Sequence, residues 1–200
     1  MEIRLVNYKE KELIGEIVQI HLDTFKGFFL TFMGRGFLKC LYKSYCQYKE
    51  SGLLVVLDDD EPIGFLAYSG DYSGLYKFMI KRKLIPFAWY SLGAFFRKPK
   101  VFIRLIRAFL KSDDVKREEK YVELASIGVK PDSKSKGVGS SLISMLKGIV
   151  DFSAYAYISL ETDAENNEIA NKFYVKNGFV LSRTYETREG RKMNEYRFFN

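Results

Sequence analysis

A glycine-bearing turn between a predicted strand and a predicted helix constrains this chain more than any other feature. The strand ends near Val129, and a helix begins after Gly137. The first N–H groups of a helix lack intrahelical partners and carry partial positive charge, and glycine lets an anion approach such a backbone closely. The residues of this turn and helix start are Lys134, Ser135, Lys136, Gly137, Val138, Gly139 and Ser140. The pattern predicts a pyrophosphate site, and the simpler alternative is an ordinary strand-to-helix loop.

A second pattern predicts a helix over residues 165–177 that carries a phenol near its end. Apolar residues recur at helical spacing up to Phe173, and Gly178 then fits a C-cap. Phe173 is predicted to pack in the core. The neighbouring Tyr174 is different, because a buried phenol needs a hydrogen-bond partner and can donate a proton to it.

The glycine-bearing turn of the first pattern is not a Rossmann fingerprint, since a third glycine and the later acidic residue are missing.

Together the two patterns resemble the central motifs of the GNAT superfamily, the acetyl-CoA-dependent N-acetyltransferases related to histone acetyltransferases. The family's turn begins with Gln or Arg, where this chain has Lys134, and often has glycine where this chain has Ser135. Lysine keeps the positive charge but loses the bidentate geometry of arginine. The resemblance implies an α/β GNAT fold, with a mixed central β-sheet flanked by helices, and a reaction between acetyl-CoA and an amine.

The resemblance also implies roles for particular positions. Backbone groups near Ile127 and Val129 would hydrogen-bond the pantetheine arm of acetyl-CoA as if it were an added strand. The N–H groups of residues 134–140 would hold the pyrophosphate. Asn167 would contact the cofactor arm, and Tyr174 would protonate the departing CoA thiolate.

Glu123 stands where some family members keep a general base. Strand alternation predicts that Glu123, Ala125, Ile127 and Val129 share one face, the face of the cofactor. The alternative is a solvent-facing glutamate on a strand. A carboxylate in this place could take the proton of the attacking amine, directly or through water.

The order of the predicted elements indicates one α/β domain around a mixed sheet, and the resemblance implies that this is a single GNAT domain over residues 1–200. Predicted strands cover 2–7, 53–57, 63–69, 121–129, 156–161, 179–186 and 192–199, and predicted helices cover 9–23, 34–49, 138–151 and 165–177. A helical insertion over 72–118 is expected after the third strand.

The insertion allows three interpretations. Residues 84–96 form a nearly uncharged run that is too short to span a bilayer, and residues 100–111 resemble a basic amphipathic helix. The insertion could cover the acceptor side of the sheet, bind a membrane surface through 84–111, or form a homodimer contact. The first interpretation is preferred.

Composition favours a soluble enzyme with an anionic cosubstrate. The net charge of +7 suits an anionic cofactor such as acetyl-CoA, and an anionic acceptor is an alternative partner for the same charge, while no nucleic-acid motif is present. Cys40 and Cys46 lack the spacing of a zinc site, so no metal is expected, and their lack of pairing indicates a reducing, cytoplasmic location. No secretory signal begins the chain, and His21 is expected to be structural or exposed.

The sequence therefore predicts transfer of an acetyl group from acetyl-CoA to a primary amine by direct attack in a ternary complex. The acceptor is expected to be a small molecule, such as an amino sugar or a sugar nucleotide that carries an amine. The alternatives are a non-catalytic acyl-CoA-binding or scaffold protein, and a transferase that uses another acyl-CoA or a protein amine.

Overall fold

Strands and helices alternate along the chain in α/β order. The computed structural model describes residues 1–97, 99, 103, 119–133, 137–187 and 190–200. Within these ranges, the strands are β1 (Glu2–Leu5), β2 (Ser51–Asp58), β3 (Glu61–Ser69), β4 (Tyr121–Val129), β5 (Tyr157–Asp163), β6 (Val180–Glu186) and β7 (Lys192–Phe198). The helices of the same ranges are α1 (Lys11–Thr24), α2 (Phe29–Met33), α3 (Arg35–Gln47), α4 (Tyr72–Arg97), α5 (Val138–Ile149) and α6 (Glu168–Lys176).

The strands form a mixed sheet in the order β1-β2-β3-β4-β5-β7-β6. β4 and β5 pair in parallel, and the other neighbouring strands pair antiparallel. The β2–β3 hairpin turns through Asp59 and Asp60, both at positive φ, in a two-residue connection whose twist matches that of the strands. The predicted α/β class and mixed sheet flanked by helices are confirmed.

Each face of the sheet packs against its own helices, and we name the faces after α1 and α5. On the α1 face, α1, α3 and the start of α4 cover a core that includes Ile17, Leu38 and Phe65, each at most 1% exposed. On the α5 face, α5 and α6 cover a second core around Leu142 and Ile158. Two apolar layers of this kind hold the strands in place by removing apolar surface from water.

α4 follows the third strand directly and belongs partly to the core. Leu75 and Met79 are buried on the α1 face, so this part of the predicted insertion 72–118 cannot be a dispensable addition. The later part, including most of the predicted basic helix 100–111, lies outside the described residues. Within the described ranges, no helix has the length and apolarity needed to cross a membrane.

Most predicted elements are found within a few residues of their predicted ends, but α2 was missed. This five-residue helix lies between the predicted helices 9–23 and 34–49, where no element was predicted. It has no side-chain cap at its start and no charged residue in its first or last turn, so it lacks the signals that mark a helix in sequence. Tertiary packing of Met33, which is 2% exposed, accounts for it instead.

Candidate active site

A wedge opens between β4 and β5, the two parallel strands. They pair only at Tyr121 with Tyr157, Val122 with Ile158 and Glu123 with Ser159. Both strands then continue, to Val129 and Asp163, without pairing to each other, and the structure describes all of these residues. Half of the backbone groups of an inner strand point towards each neighbour, so the β4 groups that face the wedge lack a strand partner and can bind an extended ligand. The carbonyl of Val129 accepts a hydrogen bond from Thr24 Oγ1 at 3.2 Å instead.

Two helices begin at the wide end of the wedge. α5 follows β4 and α6 follows β5, and the carboxyl ends of neighbouring parallel strands lie at the same edge of a sheet. Both helix starts therefore direct free N–H groups and positive dipole ends to this edge. Gly137 precedes α5 with φ of 78°, a left-handed conformation that favours glycine. Three predicted turn residues, Lys134, Ser135 and Lys136, lie outside the described residues.

The two glycines of the turn have different surroundings. A Cβ atom placed on Gly137 would meet no atom of the described residues within 4 Å, so none of these residues fills the space beside the start of α5. A Cβ atom on Gly139 would lie 2.9 Å from Cζ of Phe173. Gly139 thus lets α5 approach α6 closely, a packing role that is separate from its predicted contact with the cofactor. Val138 is buried against β3, and Ser140 is half-buried in the first helical turn.

Tyr174 lies on the inner side of α6 among aromatic rings. Its ring is in edge contact with those of Phe173 and Phe179, at centroid distances of 5.4 and 6.1 Å. Burial raises the pKa of Tyr174 to about 12, so the phenol keeps its proton at neutral pH. Its hydroxyl makes no hydrogen bond with any residue that the structure describes.

An amide network that sequence analysis missed holds α6 against the sheet. Asn171 donates to the carbonyls of Asp163 and Asn167 at 3.0 and 2.8 Å, and its Oδ1 accepts from Asn194 Nδ2 and the Tyr196 hydroxyl, both at 2.9 Å. Asn167 itself donates to Thr162 Oγ1 at 2.7 Å and does not cap the helix with its side chain. The network fixes the start of α6 at the end of β5, and so it sets where Tyr174 lies.

A bulge in β4 makes the predicted face of Glu123 wrong. Ser126 pairs with Ala67 and Leu124 pairs with Tyr68, which leaves Ala125 as an extra residue in β4. Leu124 belongs to the α5-face core, and so do Ile127 and Val129 beyond the bulge. Glu123 precedes Leu124 in regular strand and therefore lies on the α1 face. The extra residue shifts the alternation by one, which separates Glu123 from the face of Ile127 and Val129.

Glu123 faces a group of hydrogen-bonded tyrosines. Burial and then the charge of Glu123 raise the pKa of Tyr72, which is hydrogen-bonded to Tyr45 and Tyr76. The charge of Glu161 on β5 acts on Tyr72 in the same direction. Two carboxylates from the strands beside the wedge thus act electrostatically on one phenol at the start of α4. Glu161 was not predicted from the sequence, because its place on the strand across the wedge from Glu123 depends on strand pairing.

A hydrogen bond and two ion pairs hold side chains in place on the α1 face of β5, β6 and β7. Tyr185 donates to Glu161 Oε2 at 2.6 Å. Glu195 is 0% exposed and accepts from Arg183 Nε at 2.6 Å and from Arg197 Nε at 2.8 Å. A buried carboxylate with two guanidinium partners is compensated for its lost hydration.

No grouping of three or more metal-ligating side chains occurs in the described ranges.

The sole histidine, His21, is buried on α1, the helix that covers the α1 face of the sheet. Nδ1 of His21 lies 2.7 Å from the Tyr42 hydroxyl, which is also hydrogen-bonded to Ser126 in the bulge region of β4. Burial lowers the pKa of His21 to about 4, so the ring is neutral at physiological pH. His21 is therefore structural, and through Tyr42 it supports the irregular part of β4.

Comparison with known proteins agrees with this geometry. The sequence model of the Acetyltransferase (GNAT) family matches residues 16–179, so the chain belongs to this family of acyl-CoA-dependent N-acetyltransferases. No curated protein sequence matches the chain significantly.

Solved structures show the same fold at low sequence identity. Aminoglycoside 6'-acetyltransferase type Ii is 13% identical with a TM-score of 0.65, and the match covers 100% of this chain and 97% of that one. The ribosomal-protein-S18-alanine N-acetyltransferase of Escherichia coli is 14% identical with a TM-score of 0.57, covering 99% and 92%. A Bacillus anthracis protein assigned as a streptothricin acetyltransferase, in complex with acetyl coenzyme A, is 18% identical with a TM-score of 0.52, covering 80% and 68%.

Proposed function

We propose that this GNAT acetyltransferase binds acetyl-CoA in the wedge between β4 and β5 and transfers the acetyl group to a primary amine of a small molecule. The observation that carries the proposal is the wedge itself, with β4 backbone that lacks a strand partner along one side and two helix starts at its wide end. An extended pantetheine arm can take the place of the missing strand pairing near Ile127 and Val129. The pyrophosphate then meets the N–H groups at the start of α5, beside Gly137, where none of the described residues fills the space.

The acceptor amine enters from the α1 face, opposite the α5-face core. Glu123 and Glu161 belong to the two strands that flank the wedge, and both act electrostatically on Tyr72. Strand spacing and the two-residue offset between them put their Cα atoms about 8 Å or more apart, which leaves room for an ammonium group between the carboxylates. Two carboxylates at this place favour an acceptor that is positively charged before it reacts, such as an amino sugar.

The proposed reaction needs no covalent enzyme intermediate. Glu123 takes a proton from the ammonium group, directly or through water, and Glu161 holds the charged acceptor in place. The neutral amine attacks the thioester carbonyl, and a backbone N–H of β4 that faces the wedge stabilises the oxyanion. Tyr174 then gives its proton to the CoA thiolate as the C–S bond breaks, and the second proton of the amine nitrogen, released as the amide forms, restores the Tyr174 hydroxyl through water. Burial keeps this phenol protonated between turnovers.

Release of free thiol from acetyl-CoA across a panel of amines tests the proposal. Amino sugars and other cationic primary amines should support turnover, and matched alcohols should not. Tyr174→Phe should lower kcat by roughly 10- to 1000-fold. Acetyl-CoA binding measured by calorimetry should change little, because only the hydroxyl is removed. Binding without thiol release for any amine would favour the non-catalytic alternative.

A matched set of glutamates tests the two acceptor-side carboxylates. Glu123→Gln should flatten the acidic limb of the pH–rate profile and lower kcat. Glu161→Gln should mainly raise KM for cationic amines. Glu16→Gln, at an exposed position of α1, makes the same charge change away from the wedge and should alter neither parameter. Equal effects of all three substitutions would contradict the proposed roles.

A further inference from the structure

The second half of α4 presents an apolar stripe to solvent. Ile85, Trp89, Leu92 and Phe96 are 82%, 70%, 44% and 76% exposed. Their spacing of four, three and four residues places all of them along one side of the helix. The stripe runs for about 16 Å, at 1.5 Å per residue. Scattered apolar side chains are common on protein surfaces, but a continuous stripe indicates a surface that something covers.

The opposite side of the same helical segment packs on the protein. Phe87 contacts Phe37 of α3 with ring centroids 4.9 Å apart, and Tyr90 lies so close to Gly36 that a Cβ atom there would be 2.2 Å from Tyr90 Cδ1. Ser91 is only 8% exposed. α4 is therefore held by its own inner side, and its outer stripe is a fixed feature of the folded surface.

Basic residues border the stripe at its N-terminal end. Lys81 and Arg82 are exposed, and their helical positions lie on either side of the line through Ile85 and Trp89. Lys77, one turn earlier, is also exposed. An apolar stripe with tryptophan and phenylalanine, flanked by cations, has the arrangement of a helix that lies in the interface of an anionic bilayer.

We propose that the outer side of α4, from Lys81 to Phe96, binds the surface of a membrane that contains anionic lipids. Charge complementarity selects this occupant: the bordering cations and the net charge of +7 attract an anionic bilayer, whereas they oppose a second copy of the same stripe. The apolar side chains enter the boundary between headgroups and acyl chains, and Lys81 and Arg82 remain at headgroup level. This surface role is independent of the acetyl transfer proposed above.

The chain offers its own probe, because Trp89 is its single tryptophan. The 200-residue protein is mixed with vesicles of phosphatidylcholine and phosphatidylglycerol, or of phosphatidylcholine alone, and tryptophan emission and co-sedimentation are recorded. Only the anionic vesicles should bind the protein, with a blue shift of the Trp89 emission. Binding should weaken at least tenfold between 50 and 500 mM salt, on the order expected for screened surface charges.

Two isoleucines form a matched pair of variants. Ile85 in the stripe is 82% exposed and Ile169 on α6 is 89% exposed, so replacing either with glutamate removes an exposed apolar side chain and adds one negative charge. Ile85→Glu should lower vesicle partitioning by at least tenfold, and Ile169→Glu should change it less than twofold. Phe96→Ser tests the stripe again without a change of charge.

Four results would overturn the proposal. These are no binding to anionic vesicles at low salt, binding without a shift of the Trp89 emission, equal effects of the Ile85 and Ile169 substitutions, and an emission that is already blue-shifted without vesicles. A blue shift that grows with protein concentration would identify a second copy of the chain as the occupant. A constant blue shift would show that the chain covers the stripe itself.

Discussion

Acidification should destabilise the protein through its one histidine. The pKa of His21 is about 4 in the folded protein, against 6.5 for an ordinary histidine. Between these values the unfolded chain binds a proton that the folded protein excludes, so the free energy of unfolding falls as the pH drops from above 6.5 to about 4. The two pKa values differ by about 2.5. Because a difference of one in pKa corresponds to 1.36 kcal/mol, the loss of unfolding free energy is about 3 kcal/mol. His21 is 2% exposed, so solvent screens this effect little.

The assay is urea unfolding at a series of pH values, with the histidine ring followed by NMR. A sole histidine gives an unambiguous signal, whose chemical shift should titrate near pH 4 in the folded protein. His21→Gln keeps a polar partner for Tyr42 but cannot titrate, so its stability should vary with pH about 3 kcal/mol less than that of the wild type. Tyr42→Phe removes the hydrogen bond and keeps the titration, so it should be less stable at neutral pH yet retain the slope.

Two observations would refute this reasoning. A midpoint near 6.5 for the folded protein would mean that water or a counter-charge reaches the ring. The same loss of stability in His21→Gln and the wild type would assign the acid sensitivity to carboxylates. His21→Gln also matters for the kinetic experiments. The acidic limb of the pH–rate profile, which is assigned to Glu123, can be separated from partial unfolding only in a protein whose residue 21 does not titrate.

Three further predictions concern the turn and the sheet. Gly137→Glu should weaken acetyl-CoA binding in calorimetry by at least tenfold, because it adds bulk and negative charge at the start of α5; unchanged affinity would place the pyrophosphate elsewhere. Gly139→Leu should lower the melting temperature through collision with Phe173, and Phe173→Ala should restore part of the loss in the double variant; additive effects would mean that the two residues do not touch. Glu195→Gln should lower the free energy of unfolding by about 2 kcal/mol, as expected when a buried carboxylate with guanidinium partners loses its charge, and an unchanged urea midpoint would contradict the buried pairing.

Local sequence patterns predicted the strands, the two helices beside the wedge and the family. These features depend on hydrophobic periodicity, helix ends and short motifs, which are visible in a single chain. The bulge in β4 was not visible. Ala125 and Ser126 are small enough to fit either face of a strand, so the sequence shows no break in alternation, and Glu123 was assigned to the wrong face.

Contacts between distant residues were equally hidden. Glu161 and Glu195 look like exposed strand residues in the sequence, and only the register of β5 with β7 places them opposite each other. The burial of Glu195 follows from Arg183 and Arg197, which the turn between β6 and β7 brings to the same place. Asn171 could have been found, because it follows Asn167 by one helical turn, and such spacing puts both amides on one side of α6.

α4 carries two separate functions in these proposals, and one comparison distinguishes them. Its first turn carries Tyr72, on which Glu123 and Glu161 act electrostatically, whereas the apolar stripe begins at Ile85, about 20 Å along the helix axis. Tyr72→Phe should therefore lower kcat/KM for a water-soluble amine. Ile85→Glu should leave kcat/KM within twofold of the wild-type value in the absence of vesicles. If Ile85→Glu lowers turnover as much as Tyr72→Phe, the stripe forms a wall of the acceptor pocket, and the sequence interpretation of this segment as a cover over the acceptor side applies to all of α4. Deleting the helix cannot make this distinction, because Leu75 and Met79 belong to the α1-face core. Their loss would unfold the domain and so abolish acetyl transfer and membrane binding together.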